Sequence, residues 1–317
     1  MVSALAPREE RARTFLASLG YPPSDEDLPA SDREFPGGGM YRIEIPSVEG
    51  PRSLRAVFDE ADRLDVPVHR VSSGSGIALT MDADIREMVA MCVERDVELS
   101  LFVGPRANWD VGSQVRTPTG GIMGARHEGT DQLVYAMTDL MRANELGVRS
   151  ALVADEGLLT VAAAMKSEGV IAPEFVLKVS VQLMAPNPVS AALLERYGAC
   201  TINVPPGLTL DKLRGIREST TVPLDMYVEA PETLGGFMRL KEIPKLVHAL
   251  APVYLKFGLK NHADVYPSGQ HLDELNVQLS TERVRRAAIG LEVLRESGID
   301  APMAPIGGPG IGVPVSS

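Results

Sequence analysis

The chain has 317 residues, with 31 Lys plus Arg against 42 Asp plus Glu, and a net charge of -11. That acidic surplus argues against a nonspecific grip on nucleic acid or on anionic lipid. At 44% hydrophobic and 23% charged residues the composition is globular, and no apolar run reaches the roughly 18 residues that a membrane helix needs.

The chain opens Met-Val-Ser-Ala-Leu-Ala-Pro-Arg-Glu-Glu, without a basic segment or an adequate apolar stretch. It is no secretory signal, and the cytosol is the expected location. Arg8–Leu19 reads as a short helix, and Tyr21–Gly39 is rich in Pro, Asp and Gly. Residues 1–39 are expected to form an arm that covers a barrel floor or a partner subunit.

From Met40 onward one pattern repeats: a β-branched run, a polar or Gly/Pro-rich connection, then an amphipathic helix. The expected strands are Tyr41–Pro46, Val66–Val71, Val97–Val103, Val148–Ala154, Phe175–Leu183, Cys200–Val204, Val222–Val228 and Pro252–Leu259. Leu54, Val57, Ala61 and Leu64 stripe the first intervening helix at helical spacing. Gly147 and Gly169 suit helix ends, and Thr209 suits a helix start. A last helix is expected from Thr281.

A repeat of roughly 30 residues is the size of a βαβ step. Eight steps over residues 40–298 predict a (β/α)8 barrel, an α/β fold of the TIM-barrel type. The first turn, Pro-Ser-Val-Glu-Gly, lacks the glycine fingerprint of a doubly wound dinucleotide fold. Residues 299–317 form a Pro/Gly-rich, irregular tail. Cys92 and Cys200, the only cysteines, read as reduced core thiols. They exclude a disulfide framework and an iron–sulfur cluster held by four cysteines of one chain.

Strand side chains alternate between faces, and a barrel interior is normally apolar. Here Lys178, Ser180 and Gln182 share one face of the fifth strand. Asp225, Tyr227 and Glu229 share one face of the seventh, Tyr254, Lys256 and Lys260 one face of the eighth, and Arg42 and Glu44 one of the first. Either a buried ion-pair network or a binding pocket would account for them. Active sites of such barrels lie at the C-terminal strand ends. His69, Arg70 and Ser72 are assigned there, with Arg106, Asp155, Glu156, Asn203, Asn261 and His262.

Two connections are long, Pro105–Gly129 and Asn261–Ser280. Loops beyond roughly 12–15 residues tend to be lids or binding loops. The first holds Trp109, Arg116, Gly120, Gly121, Gly124, Arg126 and His127. It is expected to act as a lid that brings Arg106 to a ligand, with a contact in a homo-oligomer as the alternative.

The stretch Lys178-Val-Ser-Val-Gln-Leu-Met-Ala-Pro-Asn187 resembles the fifth-strand segment of the U32 peptidase family. Thr201-Ile-Asn-Val-Pro-Pro with Leu208-Thr-Leu-Asp-Lys-Leu, and Val222-Pro-Leu-Asp-Met-Tyr-Val-Glu-Ala, resemble the segments that follow in that family. The resemblance implies a barrel with a pocket at the strand ends. The family's cysteine-rich segment is absent, and Glu229-Ala-Pro-Glu-Thr-Leu-Gly-Gly-Phe stands in its place. Cysteine-ligated cluster chemistry therefore does not carry over.

The leading expectation is an enzyme acting on a small polar or anionic substrate by acid/base chemistry, with a hydrolase or lyase favoured. Glu229, Asp155, Lys178 and Lys256 are the candidate catalytic groups. His69, Arg70, Arg106, Gln182, Asn203, Tyr227, Lys260 and His262 are the candidate substrate contacts. No cofactor is required by any motif. A divalent metal held by Glu44 or Glu156, and a non-catalytic ligand-binding or partner subunit, are the rival readings.

Overall fold

The computed structural model describes residues 7–104, 106–109, 117, 124–262 and 264–316. Eight parallel strands close on themselves in chain order. They are β1 (Tyr41–Pro46), β2 (Arg70–Ser73), β3 (Glu98–Phe102), β4 (Ser150–Val153), β5 (Val176–Val179), β6 (Thr201–Asn203), β7 (Leu224–Glu229) and β8 (Val253–Phe257). Helix α1 (Arg8–Ser18) precedes the barrel. Helices α2 (Pro51–Leu64), α3 (Asp82–Glu94), α4 (Gly129–Glu145) and α5 (Glu156–Ser167) surround its first half. The second half carries α6 (Pro188–Arg196), α7 (Leu210–Glu218), α8 (Ile243–Leu250) and α9 (Asp273–Glu296). This is the expected (β/α)8 barrel.

The α2 stripe buries Leu54, Val57, Phe58 and Ala61 against the strands. Each large apolar side chain buried this way contributes about 1.5–3 kcal/mol. From β1, Ile43 and Ile45 enter that same core, which leaves Arg42 and Glu44 for the interior. Cys92 is buried among apolar neighbours, and both cysteines are free thiols.

Several boundaries differ from the expected ones. The second strand is Arg70–Ser73, with His69 just before it giving its N–H to Ile43 O and accepting from Glu98 N. The fifth stops at Val179, where the Ser180 hydroxyl accepts from Gln182 N and turns the chain into a 3-10 segment. The helix after β7 shortens to Ile243–Leu250, with Pro244 in its first turn. The last helix starts at Asp273, not Thr281, with Asp273 and Glu274 at its positive end. The last long loop is thereby shorter than expected.

Arm and tail close the barrel floor. Phe35 and Tyr254 meet edge-to-face at 5.3 Å, and the Arg42 guanidinium lies 4.1 Å from the Phe35 centroid. Arg42 also donates to the Tyr254 hydroxyl at 2.9 Å and to the Pro309 carbonyl at 3.0 Å. Ser31 donates to Ala251 O, and Ala304 N donates to Tyr41 O. Gly147, at φ +92°, leaves room for the tail: a Cβ there would sit 2.1 Å from Val315 O. Among the described residues no helix is long and apolar enough to cross a membrane.

Candidate active site

Register alone brings the interior charges together. Glu44 pairs with Arg70 of β2 on one side and Lys256 of β8 on the other. Arg70 is level with Glu98, Asn203 with Asp225, and Lys256 with Tyr227. Glu44, Arg70, Glu98, Lys178 and Asp225 have no solvent exposure. Buried charges on this scale persist only when paired.

The pairing centres on Glu44. Lys178 Nζ makes a short ion pair with its Oε1. Lys256 Nζ lies 3.3 Å from the same oxygen, and Ser72 Oγ donates to it at 2.7 Å. Arg70 spans Glu98 at 2.8 Å, Asp225 at 3.1 Å and Glu44 Oε2 at 3.3 Å. Its guanidinium lies 3.5 Å from the Tyr254 ring centroid. Lys178 is also 3.7 Å from Asp225. Lys256 donates to Asn203 Oδ1 at 2.7 Å and lies 4.3 Å from the Tyr227 centroid.

These contacts set the protonation of the cluster. Burial opposes the Glu44 charge, but Lys178, Lys256 and Arg70 outweigh it and hold the carboxyl well below its usual range. Burial pushes Lys178 down to about 7; Glu44 opposes that shift and the Lys256 charge adds to it. Burial raises Asp225, against the pull of Arg70 and Lys178. One amine near neutrality beside a second amine and a fixed carboxylate can accept and return a proton.

The C-terminal mouth lies above this layer. Arg106 donates to Gly74 O at 2.5 Å. Its guanidinium lies 3.7 Å from the Phe102 centroid, 4.6 Å from Trp109 and 5.6 Å from Tyr266. The Tyr266 ring occupies the space a Cβ on Gly74 would need, at 2.4 Å. Its hydroxyl makes a short hydrogen bond with Ser47. Glu49 organises the loop beneath, accepting from Gly74 N at 2.6 Å, Ser75 N at 3.0 Å and Ser73 Oγ at 3.1 Å. Connections after β1, β2, β3 and β8 thus touch one another at this end of the barrel.

The structure gathers part of the expected set. Lys178, Lys256, Asn203 and Glu44 form one cluster with Arg70, which is the first residue of β2 and not at its C-terminal end, while Tyr227 lies next to Lys256 and Arg106 over the mouth. His69 is not on the rim: it is buried at the floor, where Nδ1 accepts from Ile43 N and Nε2 bonds Ala304 O. Burial lowers it to about 4. Gln182 is exposed, because the chain leaves the strand at Ser180. Glu229 is buried but turned toward α9, where Arg286 lies 3.1 Å away, and it accepts from Lys260 N. Lys260 is partly exposed beside Glu232. A single pocket formed by His69, Arg106, Gln182, Glu229 and Lys260 therefore does not exist.

Asp155 caps α5, accepting from Leu158 N at 2.8 Å and His127 N at 3.2 Å. Burial opposes its charge, but its bonds to His127 and Leu158 hold it well below the usual range. The His127 ring nitrogen Nδ1 is 3.8 Å from it, and Arg126 pairs with Glu156. Glu156 is half exposed at the helix start, apart from the buried Glu44. The two do not share a ligand set, and no described residues group into a metal-binding cluster of three or more. His262 lines a small cavity at the mouth. Arg116, Gly120 and Gly121, with most of the loop expected to act as a lid (105, 110–116 and 118–123), lie outside the described residues.

Glu98, Glu49 and Arg283 were not among the expected residues. Glu98 was legible, since Glu98, Ser100 and Phe102 alternate on one face of β3. Arg283 carried no signal: in Thr-Glu-Arg-Val-Arg-Arg it looks like a solvated helix residue. A larger cleft of about 450 Å3 lies outside the barrel wall, between the starts of α2 and α3. Its wall includes Glu49, Asp84, Glu87 and Asp273 but none of the interior charge cluster.

No family model matches the sequence, and no curated protein matches it. Among solved structures, a U32 peptidase is similar at 21% identity and TM-score 0.40, over 63% of this chain and 73% of that one. Orotidine 5'-monophosphate decarboxylase from Methanocaldococcus jannaschii is similar at 12% identity and TM-score 0.45, over 80% of this chain and 99% of that one. A truncated 3-deoxy-D-arabino-heptulosonate 7-phosphate synthase from Thermotoga maritima is similar at 11% and 0.45, over 86% and 98%.

Proposed function

We propose that this barrel is a cytosolic enzyme that acts on a small anionic substrate by acid/base chemistry, with Lys178 as the proton-transfer group. The supporting observation is the convergence of Lys178 and Lys256 on one oxygen of Glu44 in the barrel interior. A barrel needs no such triad for stability, because apolar residues of similar volume serve as well or better. Neutral Lys178 accepts a proton from the substrate, and Lys256, oriented by Asn203, stabilises the negative charge that develops. Glu44 keeps both amines in place and offsets their charge. Arg106 covers the mouth and excludes water during the reaction. Asp155 and Glu229, both engaged elsewhere, have supporting roles in the loops.

The test is solvent-deuterium exchange into the carbon-bound hydrogens of small 2-oxo and 2-hydroxy acids, followed by proton NMR. Wild-type protein should catalyse exchange in at least one of them. Lys178→Met should slow it by about 10²–10⁴-fold, the usual contribution of a positioned base. Exchange that survives Lys178→Met, or none with any acid, rejects this reading.

A further inference from the structure

Arg283 projects from α9 into the barrel mouth and is fully buried. Its NH1 donates to Ser47 O at 2.9 Å, and its Nε has no partner among the described residues. No described carboxylate lies within ion-pair distance of it. The nearby acid Glu49 is engaged by Gly74 N, Ser75 N and Ser73. Burial lowers Arg283, with Tyr266, Glu49 and Tyr227 opposing the shift. Taking a guanidinium out of water with so few partners is costly unless an anion completes the site.

Space for that anion exists. A cavity of about 30 Å3 is lined by Arg283, Ser47, Tyr227, Gly258, His262 and Tyr266. Glu232 and Asp264 also line it, and both are exposed to solvent. At roughly 10–15 Å3 per water, the cavity has room for about two water-sized groups. Burial keeps the Tyr227 and Tyr266 phenols protonated. Tyr227 also borders Lys256, so one ring separates this cavity from the charged layer.

We propose that this cavity is a carboxylate subsite, with Arg283 as its anion-binding residue, and that the substrate is a small carboxylate extending past Tyr227 toward Lys256. Only the orientation toward Lys256 rests on the acid/base reading above; the subsite rests on Arg283 and its cavity. A guanidinium presents paired N–H groups that match the two oxygens of a carboxylate, which favours this ligand over a single halide.

The experiment is calorimetric titration of the full chain with acetate, oxalate and pyruvate, with inorganic phosphate and chloride as separate arms. At least one carboxylate should bind, and Arg283→Gln should weaken it by at least about tenfold. Arg283→Lys, which keeps the charge, should bind with intermediate affinity and decides the matter if the Gln variant does not fold. Carboxylate affinity unchanged in Arg283→Gln or Arg283→Lys overturns the proposal. So does an absence of carboxylate binding, and so does Arg283-dependent binding of phosphate alone. Arg283-dependent carboxylate binding without deuterium exchange would retain the subsite and reject the acid/base reading.

Discussion

Lys178 and Lys256 stand on β5 and β8, yet both amines reach Oε1 of Glu44 on β1. Two amines share one carboxylate in the buried interior. Burial and the second cation both push Lys178 toward the neutral amine, while Glu44 pulls the other way. Removing the shared carboxylate should therefore cost more than removing one of its partners.

Glu44→Gln puts an amide where the carboxylate shared by Lys178, Lys256 and Arg70 stood. It should destabilise the fold by about 3–5 kcal/mol, the usual consequence of breaking a buried ion pair. Glu44→Gln with Lys178→Met should be less destabilised than Glu44→Gln alone. Urea unfolding of the single and double variants provides the comparison. Additive losses would mean that the two residues are not coupled.

Stability should depend on pH through Lys178. Its folded value is about 7, below the ordinary 10.5. Between those values the unfolded chain binds more protons, so stability rises with pH, by up to about 1.4 kcal/mol per unit. Below the lower value both states are protonated and the burial cost is fully present. Lys178→Met should flatten the profile from about pH 7 to about pH 10. Parallel slopes in the two proteins would contradict a buried amine of lowered basicity.

His69 should contribute in the acid range. Its folded value is about 4 against an ordinary 6.5. As pH falls through that interval the unfolded chain takes up the proton first, so stability drops, by about 3 kcal/mol in total. His69→Gln removes the titrating group, so its own stability should fall less over the same interval. An equal fall in both proteins would assign acid sensitivity elsewhere.

The floor plug should be a stability element rather than a functional one. Phe35→Ala removes a ring that packs on Tyr254 and Arg42. A loss of about 3–5 kcal/mol is expected, with carboxylate binding at the far end of the barrel retained in the folded fraction. Lost binding in protein that is still folded would show that the two ends are coupled.

Trp109, the one tryptophan in the chain, reports on the mouth. Arg106→Ala removes its cationic neighbour and the bond to Gly74 O, so Trp109 emission should change while the oligomeric state stays the same. Ligand affinity should fall with it. Altered assembly at unchanged affinity would place Arg106 and Trp109 at an interface between copies of the chain.

The sequence by itself determined the architecture, because alternation along strands and striping along helices are local properties of the chain. Tyr41–Pro46 was legible to the residue, and the polar faces of β1, β5, β7 and β8 pointed to a charged interior. Only the tertiary structure decided which charges meet, since that depends on strand register and barrel closure. β2 begins one residue after His69, which leaves His69 at the floor. Ser180 ends β5 a few residues early and turns Gln182 out to solvent. Arg283 is the clearest case: helical periodicity gives its angle on α9, but its burial comes from the docking of α9 against the mouth, where Ser47 and Tyr266 meet it. Such contacts join residues far apart in the chain, and no local pattern encodes them.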